Sequence, residues 1–440
     1  MDFRFKDYLT SPFELWKIHS FMKKAPFYSK EKMDNITLVR LREICKYANA
    51  HVPYYKKLFK DINLNPDDIS CYSDFEKIPV LDKNIVIENF DDLQSDEKNL
   101  GAVLCETSGS TGTPLHFYLD KKINMATFAL FWRTWDIASK WHIGCRQAMI
   151  SGYAEGKYQY KRKTRILALS SFYLSAENVK EFYDLLIKYR PKFLRGYPSA
   201  IYLFGKLLEE QKLKLKFTHI FTGAESLLPF QKTFIEDYFE CKVIDHFTHW
   251  ERTASICECN CGRLHAQNDY GYHEILDEIG KPIKDSSVGR LVCTGLFNHA
   301  MPLIRYDTRD LASWSKEKKC KCGSNFPIIN KIEGRIEDVI LTPEGRLVGR
   351  LDAAFKYNNN IKLSCIYQKD VENITVKIVP SDAYTKEEEK LLLTELRKRL
   401  GTQINIHIEY VTEEQIPRTP RGKVRFVISE VPREKKFGHY

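Results

Sequence analysis

No window of the 440 residues approaches the apolar length of a membrane span, and the opening Met1-Asp2-Phe3-Arg4-Phe5-Lys6 has no signal-peptide core. Both absences predict a cytoplasmic protein. Charge is not gathered into a block either: 68 Lys and Arg stand against 58 Asp and Glu, a net +10 spread along the chain. A dispersed excess favours an anionic small molecule, or no specific partner, over a nucleic-acid groove. Twelve cysteines in a chain of this size do not make a disulfide frame. They read as thiols or metal ligands, and the scattered Cys45, Cys71, Cys105, Cys145, Cys241, Cys293 and Cys365 as packing residues. A hydrophobic content of 43% with 29% charged residues is globular, and the length predicts two to three domains.

What the chain does have is a run of small and hydroxyl residues, Thr107-Ser108-Gly109-Ser110-Thr111-Gly112-Thr113-Pro114. It sits between apolar Ala102 to Leu104 and the alternating Leu115, Phe117 and Leu119. Such a loop lets backbone N–H groups and short hydroxyls close around a phosphate, although a plain surface turn has the same composition. No Gly-Lys-Ser/Thr follows, so it is not a P-loop.

Helical spacing of Leu38, Leu41, Ile44, Cys45 and Ala48 predicts an amphipathic helix that ends before Pro53. The first 35 residues are aromatic-rich and carry no assignment. Asn124 to Ser139 predicts a helix with an aromatic stripe, and Arg133 on it faces either a phosphate or solvent. Apolar runs at 148–152, 166–169, 193–194, 219–222 and 243–244 alternate with helical segments at 176–188 and 200–211. That alternation predicts an α/β fold with a parallel, helix-covered sheet, whose ligands sit at the carboxyl ends of strands. Two Cys-x-Cys-Gly units, Cys259 with Cys261 and Cys320 with Cys322, supply four thiolates for a structural Zn²⁺, with Cys257 spare.

Five segments in this order resemble the motifs of the acyl-adenylate-forming enzymes: the 107–114 loop, Thr222 to Glu225, His246 to Glu251, Arg305 to Asp310 with Gly334-Arg335, and Pro417 to Lys423. Val52-Pro53-Tyr54-Tyr55, Arg195 to Ser199 and the paired cysteines are similar to the phenylacetate–CoA ligase and CapK branch, found in capsule gene clusters. The resemblance implies a large N-terminal adenylation domain over residues 1–339, helical to about 100 and carrying a zinc-binding insert at about 257–323. A mobile α+β lid over 340–440 follows.

It also implies ATP and Mg²⁺ as cofactors. Thr107 and the following Ser108 to Thr113 would bind phosphates, Glu251 the magnesium, and Asp310 the ribose hydroxyls, with Arg335 near ribose or phosphate. The backbone of Gly223, Ala224 and Glu225, with His246 and Phe247, would flank adenine. Tyr197 and Trp250 would shape the acid pocket, and Lys423 would be catalytic. Related sequences place a His six residues after a Cys, matched by Cys259 and His265, which makes His265 an alternate ligand. Phe247, Thr248 and Trp250 depart from the usual Tyr-Gly-x-Ser/Thr-Glu, which leaves open a degenerate fold that binds nucleotide without turnover.

The implied reaction activates a carboxylic acid as acyl-AMP and transfers it to an amine, such as an amino sugar, or to coenzyme A. Leu341 to Arg346 stands where many relatives carry an Arg-Gly motif for the second substrate, which tilts the expectation towards surface-polysaccharide tailoring. A basic zinc-ribbon nucleic-acid binder is the alternative of another class. Neither a nucleic-acid nor a membrane partner is expected, and an oligomer is compatible with the sequence.

Overall fold

The computed structural model describes residues 10–97, 100–107, 115–335, 340–348, 351–355, 358, 360–419 and 422–432. It forms two compact units, each of two stretches of chain: 1–142 with 246–332, and 143–245 with 333–440. This grouping by compactness differs from the division expected at 340, since it places 333–440 with 143–245.

In the first unit, helices Pro12–Lys24, Lys30–His51 and Pro53–Asp61 follow one another. Ser29 caps the second, accepting the Lys32 N–H at 3.2 Å, and the third starts at Pro53, so the break falls where proline forbids continuation. Helix Lys121–Ser139 is capped by Asp120, which accepts the Ile123 N–H at 2.8 Å. Strands Gly271–Leu276, Val288–Gly295 and Tyr306–Trp314 form an antiparallel meander, followed in space by Ile328–Arg335, Leu264–Ala266, Ser255–Glu258 and the end of Lys242–Thr248. Leu41, Ile44, Phe59, Ile123, Leu130, Tyr270 and Met301 share one core.

The N-terminal segment that resisted assignment packs on the aromatic helix. His19 stacks on Trp132 with centroids 3.8 Å apart, and Lys23 pairs with Asp136 at 2.8 Å. Arg133 faces neither phosphate nor solvent, correcting both options. It is 2% exposed and donates to Asp269, to Gln267 and to the Met22 carbonyl at 2.8 Å.

The second unit has the expected parallel sheet. Gln147–Ser151 lies between Ile166–Ser170 and Leu194–Gly196, His219–Gly223 follows, and Tyr158–Lys161 adds an antiparallel edge. Helices Val179–Tyr189, Pro198–Glu210 and Pro229–Phe239 intervene in the chain. A four-stranded sheet, in the order Asn405–Tyr410, Asn373–Pro380, Ile361–Gln368 and Val427–Ser429, carries helix Lys386–Leu400. Leu363, Cys365 and Val379 join the core built by Tyr202, Phe204 and Leu208, and the Tyr202 hydroxyl donates to the Ile361 carbonyl at 3.0 Å. The α/β class expected from the alternation is the class of this structure. No helix among the described residues is long and apolar enough to cross a membrane.

Candidate functional site

Non-glycine residues rarely adopt a positive φ, and where they do the cause is a cap, a turn or a functional constraint. Lys140, Arg190 and Glu240 are left-handed caps that end helices. Ala224 (+70°), Arg252 (+59°), Arg305 (+50°) and Arg309 (+61°) instead fall in or beside the motif segments. Those segments are therefore held in shapes that ordinary loops avoid.

In the second unit, three segments far apart in sequence meet. Glu225 follows strand His219–Gly223, and its carboxylate accepts from the Ser199 hydroxyl at 2.7 Å, the Ser199 N–H at 3.2 Å and the Val424 N–H at 2.8 Å. Burial of that carboxyl raises its pKa, while the Ser199 and Val424 hydrogen bonds and the charge of Lys423 pull it down. The side chain of Glu225 thus clamps the chain beside Lys423. The Lys423 ammonium lies 6.0 Å from the ring centroid of buried Tyr197.

Gly422 has φ +74°, and a Cβ there would lie 2.6 Å from the Ser171 hydroxyl and 3.1 Å from Phe172. Only glycine fits so close an approach in that conformation. Thr419 closes the turn, its carbonyl accepting from Gly422 N at 2.8 Å and its hydroxyl from Lys423 N at 3.2 Å.

In the first unit, Glu251 is held by two donors. The Tyr306 hydroxyl donates to Oε1 at 3.1 Å, and His249 Nδ1 lies 3.0 Å from Oε2. Ala254 donates its N–H to His249 Nε2 at 3.0 Å, so the ring proton sits on Nδ1 and is given to Glu251. Neither His249 nor Tyr306 had a role from the sequence, although both lie inside the motif segments. Burial and the Glu251 charge push the Tyr306 phenol well above its usual range, which keeps it a donor.

Asp310 is buried in strand Tyr306–Trp314. Asp307 pairs with Arg290 at 3.0 Å and accepts the Arg309 N–H at 2.8 Å. Trp250 packs on the unit's core with the Arg252 guanidinium 5.7 Å from its ring. Phe247 is half-buried against Ala254 and Ile256. The His246 side chain is enclosed, with Nε2 2.7 Å from the Ser255 hydroxyl and the Phe131 ring at 4.6 Å. Burial, with the Arg133 charge, pushes its pKa down to about 3, so it is a neutral packing group.

Thr107 marks the neck of the small-residue loop: its N–H donates to the Leu115 carbonyl, and its hydroxyl accepts from Leu115 N, both at 2.9 Å. Ser108, Gly109, Ser110, Thr111, Gly112 and Thr113 lie outside the described residues, as does the side chain of Arg335.

The metal-ligand residues come together as Cys259, His265, Cys320 and Cys322, with donor atoms all within 4.8 Å of one another. Cys261 is exposed and stands outside this group. The Cys259 and Cys320 sulfurs are 3.6 Å apart, and Cys322 Sγ is 3.5 Å from His265 Nε2. Tetrahedral zinc with Zn–S near 2.3 Å would space two sulfurs by about 3.8 Å, so the four donors fit. His265 Nδ1 lies 3.1 Å from the Phe326 carbonyl, which fixes the tautomer that turns the Nε2 lone pair to the group. Gly262 and Gly323 turn the two knuckles at positive φ. Asn325 then ties the knot to the N-terminal segment, donating its N–H to the Pro26 carbonyl at 2.7 Å and its side-chain amide to that of Tyr28 at 2.9 Å.

The model of the CapK C-terminal domain family matches residues 340–430. Protein CapK of Staphylococcus aureus is 27% identical over 405 residues, covering 89% of this chain and 88% of that protein. The phenylacetate-coenzyme A ligase of Pseudomonas putida is 26% identical over 323 residues, covering 69% of this chain and 71% of the ligase. A crystal structure of 2-hydroxyisobutyryl-CoA ligase in the postadenylation state, in complex with 2-HIB-AMP, has a TM-score of 0.72 at 20% identity, covering 94% of this chain and 92% of that one. At that identity the likeness concerns the fold.

Proposed function

We propose, from the premise that this chain is a relative of the acyl-adenylate-forming enzymes on the branch of CapK and the phenylacetate–CoA ligases, that it activates a carboxylic acid with ATP. A carboxylate oxygen attacks the α-phosphorus, the bond to the β-phosphate oxygen breaks, and acyl-AMP and pyrophosphate result. A nucleophile then attacks the acyl carbon, loses its proton and displaces AMP. The observation that carries this reading is the meeting of Tyr197, Ser199, Glu225 and Lys423, which links three of the motif segments.

Attack of one anion on another needs positive charge at the reacting phosphate. Lys423, aimed by Gly422 and by the Glu225 clamp on Val424, supplies it as pyrophosphate leaves. Glu251, oriented by Tyr306 and His249, would hold Mg²⁺, a hard cation that prefers carboxylate oxygen. Asp310 accepts from the ribose hydroxyls, and the loop beginning at Thr107 binds phosphate. By the family resemblance, the backbone of Gly223 and Ala224 is assigned to the adenine, as is Phe247, and Tyr197 and Trp250 are assigned to the acid. Residues 340–440 act as the lid.

The acceptor is an amine, such as that of an amino sugar in capsule or surface polysaccharide. What supports this choice is Leu341 to Arg346, which stands where many relatives carry the Arg-Gly motif for the second substrate. Coenzyme A is the second reading, supported by the names of the ligase relatives.

Pyrophosphate release from Mg-ATP is expected with one class of acids from a broad carboxylic and amino acid panel, hydroxylamine serving as acceptor. Failure to bind ATP at all would sink the adenylation reading. With the active acid, amino sugars are expected to raise AMP release more than coenzyme A; the reverse order selects the thiol reading.

Zinc in this reading is structural, since four protein donors leave no position for water. Elemental analysis is expected to give one Zn²⁺ per chain, and Cys320→Ser to lose it. At free zinc about a thousandfold above Kd, binding stabilises by about 4 kcal/mol. For a unit of this size that corresponds to about 8–16 °C in Tm. A chelated protein melting at the untreated temperature would contradict it.

A further inference from the structure

Within the first unit, helices Pro12–Lys24 and Lys30–His51 and the segment around Phe297 line a cavity of about 300 Å³. None of its lining residues has a role in the ligase reading. The apolar half of its lining is Ile18, Ile44, Leu296 and the rings of Phe21 and Phe297. The Arg40 guanidinium lies 4.2 Å from the Phe21 ring and 5.2 Å from the Phe297 ring, which fixes it in place. One N–H donates to the Asp269 carbonyl at 2.9 Å; its other donors have no hydrogen-bond partner among the described residues.

Lys17 and Lys122 reach the same cavity, and neither is within ion-pair distance of a carboxylate among the described residues. Lys17 instead lies 4.5 Å from the Phe13 ring centroid. Glu43 is the one acidic lining residue. His299 gives its backbone N–H to the Asp120 carboxylate at 2.7 Å, and its Nδ1 lies 3.1 Å from the Phe297 carbonyl.

The buried Asp269 carboxylate also acts on Arg40 but is paired with Arg133. Three lining cations, two of them on exposed side chains, against one lining carboxylate leave an excess of two positive charges beside the apolar residues. A monocarboxylate would balance half of it. A phosphate monoester, with a second pKa of about 6, is a dianion at pH 7.5 and offers three acceptor oxygens to the guanidinium fork and the ammonium groups. The volume, at the low end of the roughly 300–1,000 Å³ usual for ligand pockets, limits the organic part to something small. The geometry points to a binding site for a small phosphate monoester with an apolar or flat body, its phosphate on Arg40, Lys17 and Lys122 and its body on Phe297 and Leu296. The site owes nothing to the adenylation reading.

Titration calorimetry of the full chain at pH 7.5 with phenyl phosphate tests this. One saturable site is expected, at least tenfold tighter than for inorganic phosphate or benzoate, and unchanged by saturating AMP. The double variant Lys17→Gln, Lys122→Gln, made on exposed side chains, is expected to weaken binding at least tenfold with Tm unchanged. Arg40→Gln should do the same, but it also removes the bond to Asp269, so the lysine pair is the deciding variant. The assignment is overturned by no saturable binding up to about 10 mM, by undiminished affinity in the lysine variant, or by displacement with AMP. Equal affinity for inorganic phosphate or benzoate also overturns it.

Discussion

Lys423→Ala is expected to lower acid-dependent pyrophosphate release by about a hundred- to a thousandfold, the usual cost of removing one preorganised donor from a developing charge. The loss should fall on kcat, with KM for ATP nearly unchanged, because the ammonium is needed most as charge grows on the α-phosphate. The turn that carries it does not depend on its side chain. Gly422 is fixed by contact with Ser171 and Phe172, and the Val424 N–H is held by Glu225. The variant should therefore melt with the parent. Transfer from a pre-made acyl adenylate to hydroxylamine should be retained, since pyrophosphate has already gone. A variant with parental pyrophosphate release would remove Lys423 from the chemistry.

The second large effect is on stability. Arg133→Ala is expected to destabilise the first unit by about 3–5 kcal/mol, because it leaves the fully buried Asp269 carboxylate without its partner. Burial already pushes the Asp269 carboxyl up, and Arg133 is the main charge pulling it down. Replacing both residues, Arg133→Met with Asp269→Leu, should recover most of the loss, since an apolar pair of similar volume needs no solvation. Thermal melts of the single and double variants decide it. A single variant within about 1 kcal/mol of the parent would mean that water or relaxation reaches the site.

Local signals were legible in the sequence. The run at 166–169 became Ile166–Ser170, 219–222 became His219–Gly223, and the break at Pro53 fell as expected. Periodicity and proline act over a few residues, so a pattern reader finds them. Partnerships across the chain were not legible. Arg133 and Asp269 are 136 positions apart, and nothing near either residue announces the other.

The same limit hid the contact of Glu225 with Val424, 199 positions on, and the helix Pro12–Lys24 as a partner of Lys121–Ser139. At the metal group the Cys-x-Cys spacing pointed to four thiolates. The backbone turn at Gly262 leaves Cys261 exposed, and the pairing of Leu264–Ala266 with Ser255–Glu258 brings His265 to the other three donors.

Each compact unit is assembled from two stretches of chain with a stretch of the other between them. On the ribosome, residues 1–142 emerge first, with Leu41, Ile44, Phe59 and Ile123 ready to pack, but Tyr270, Leu296, Phe297 and Met301 arrive only later. At about 5–20 residues per second, the roughly 100 intervening residues impose a wait of about 5–20 s with apolar surface uncovered. The second unit waits for the last quarter of the chain, since Phe204 and Leu208 share their core with Leu363, Cys365 and Val379. A fragment cut near residue 340 would lack Leu363, Cys365 and Val379, so excision of the C-terminal region uncovers apolar surface of the second unit as well as removing Lys423.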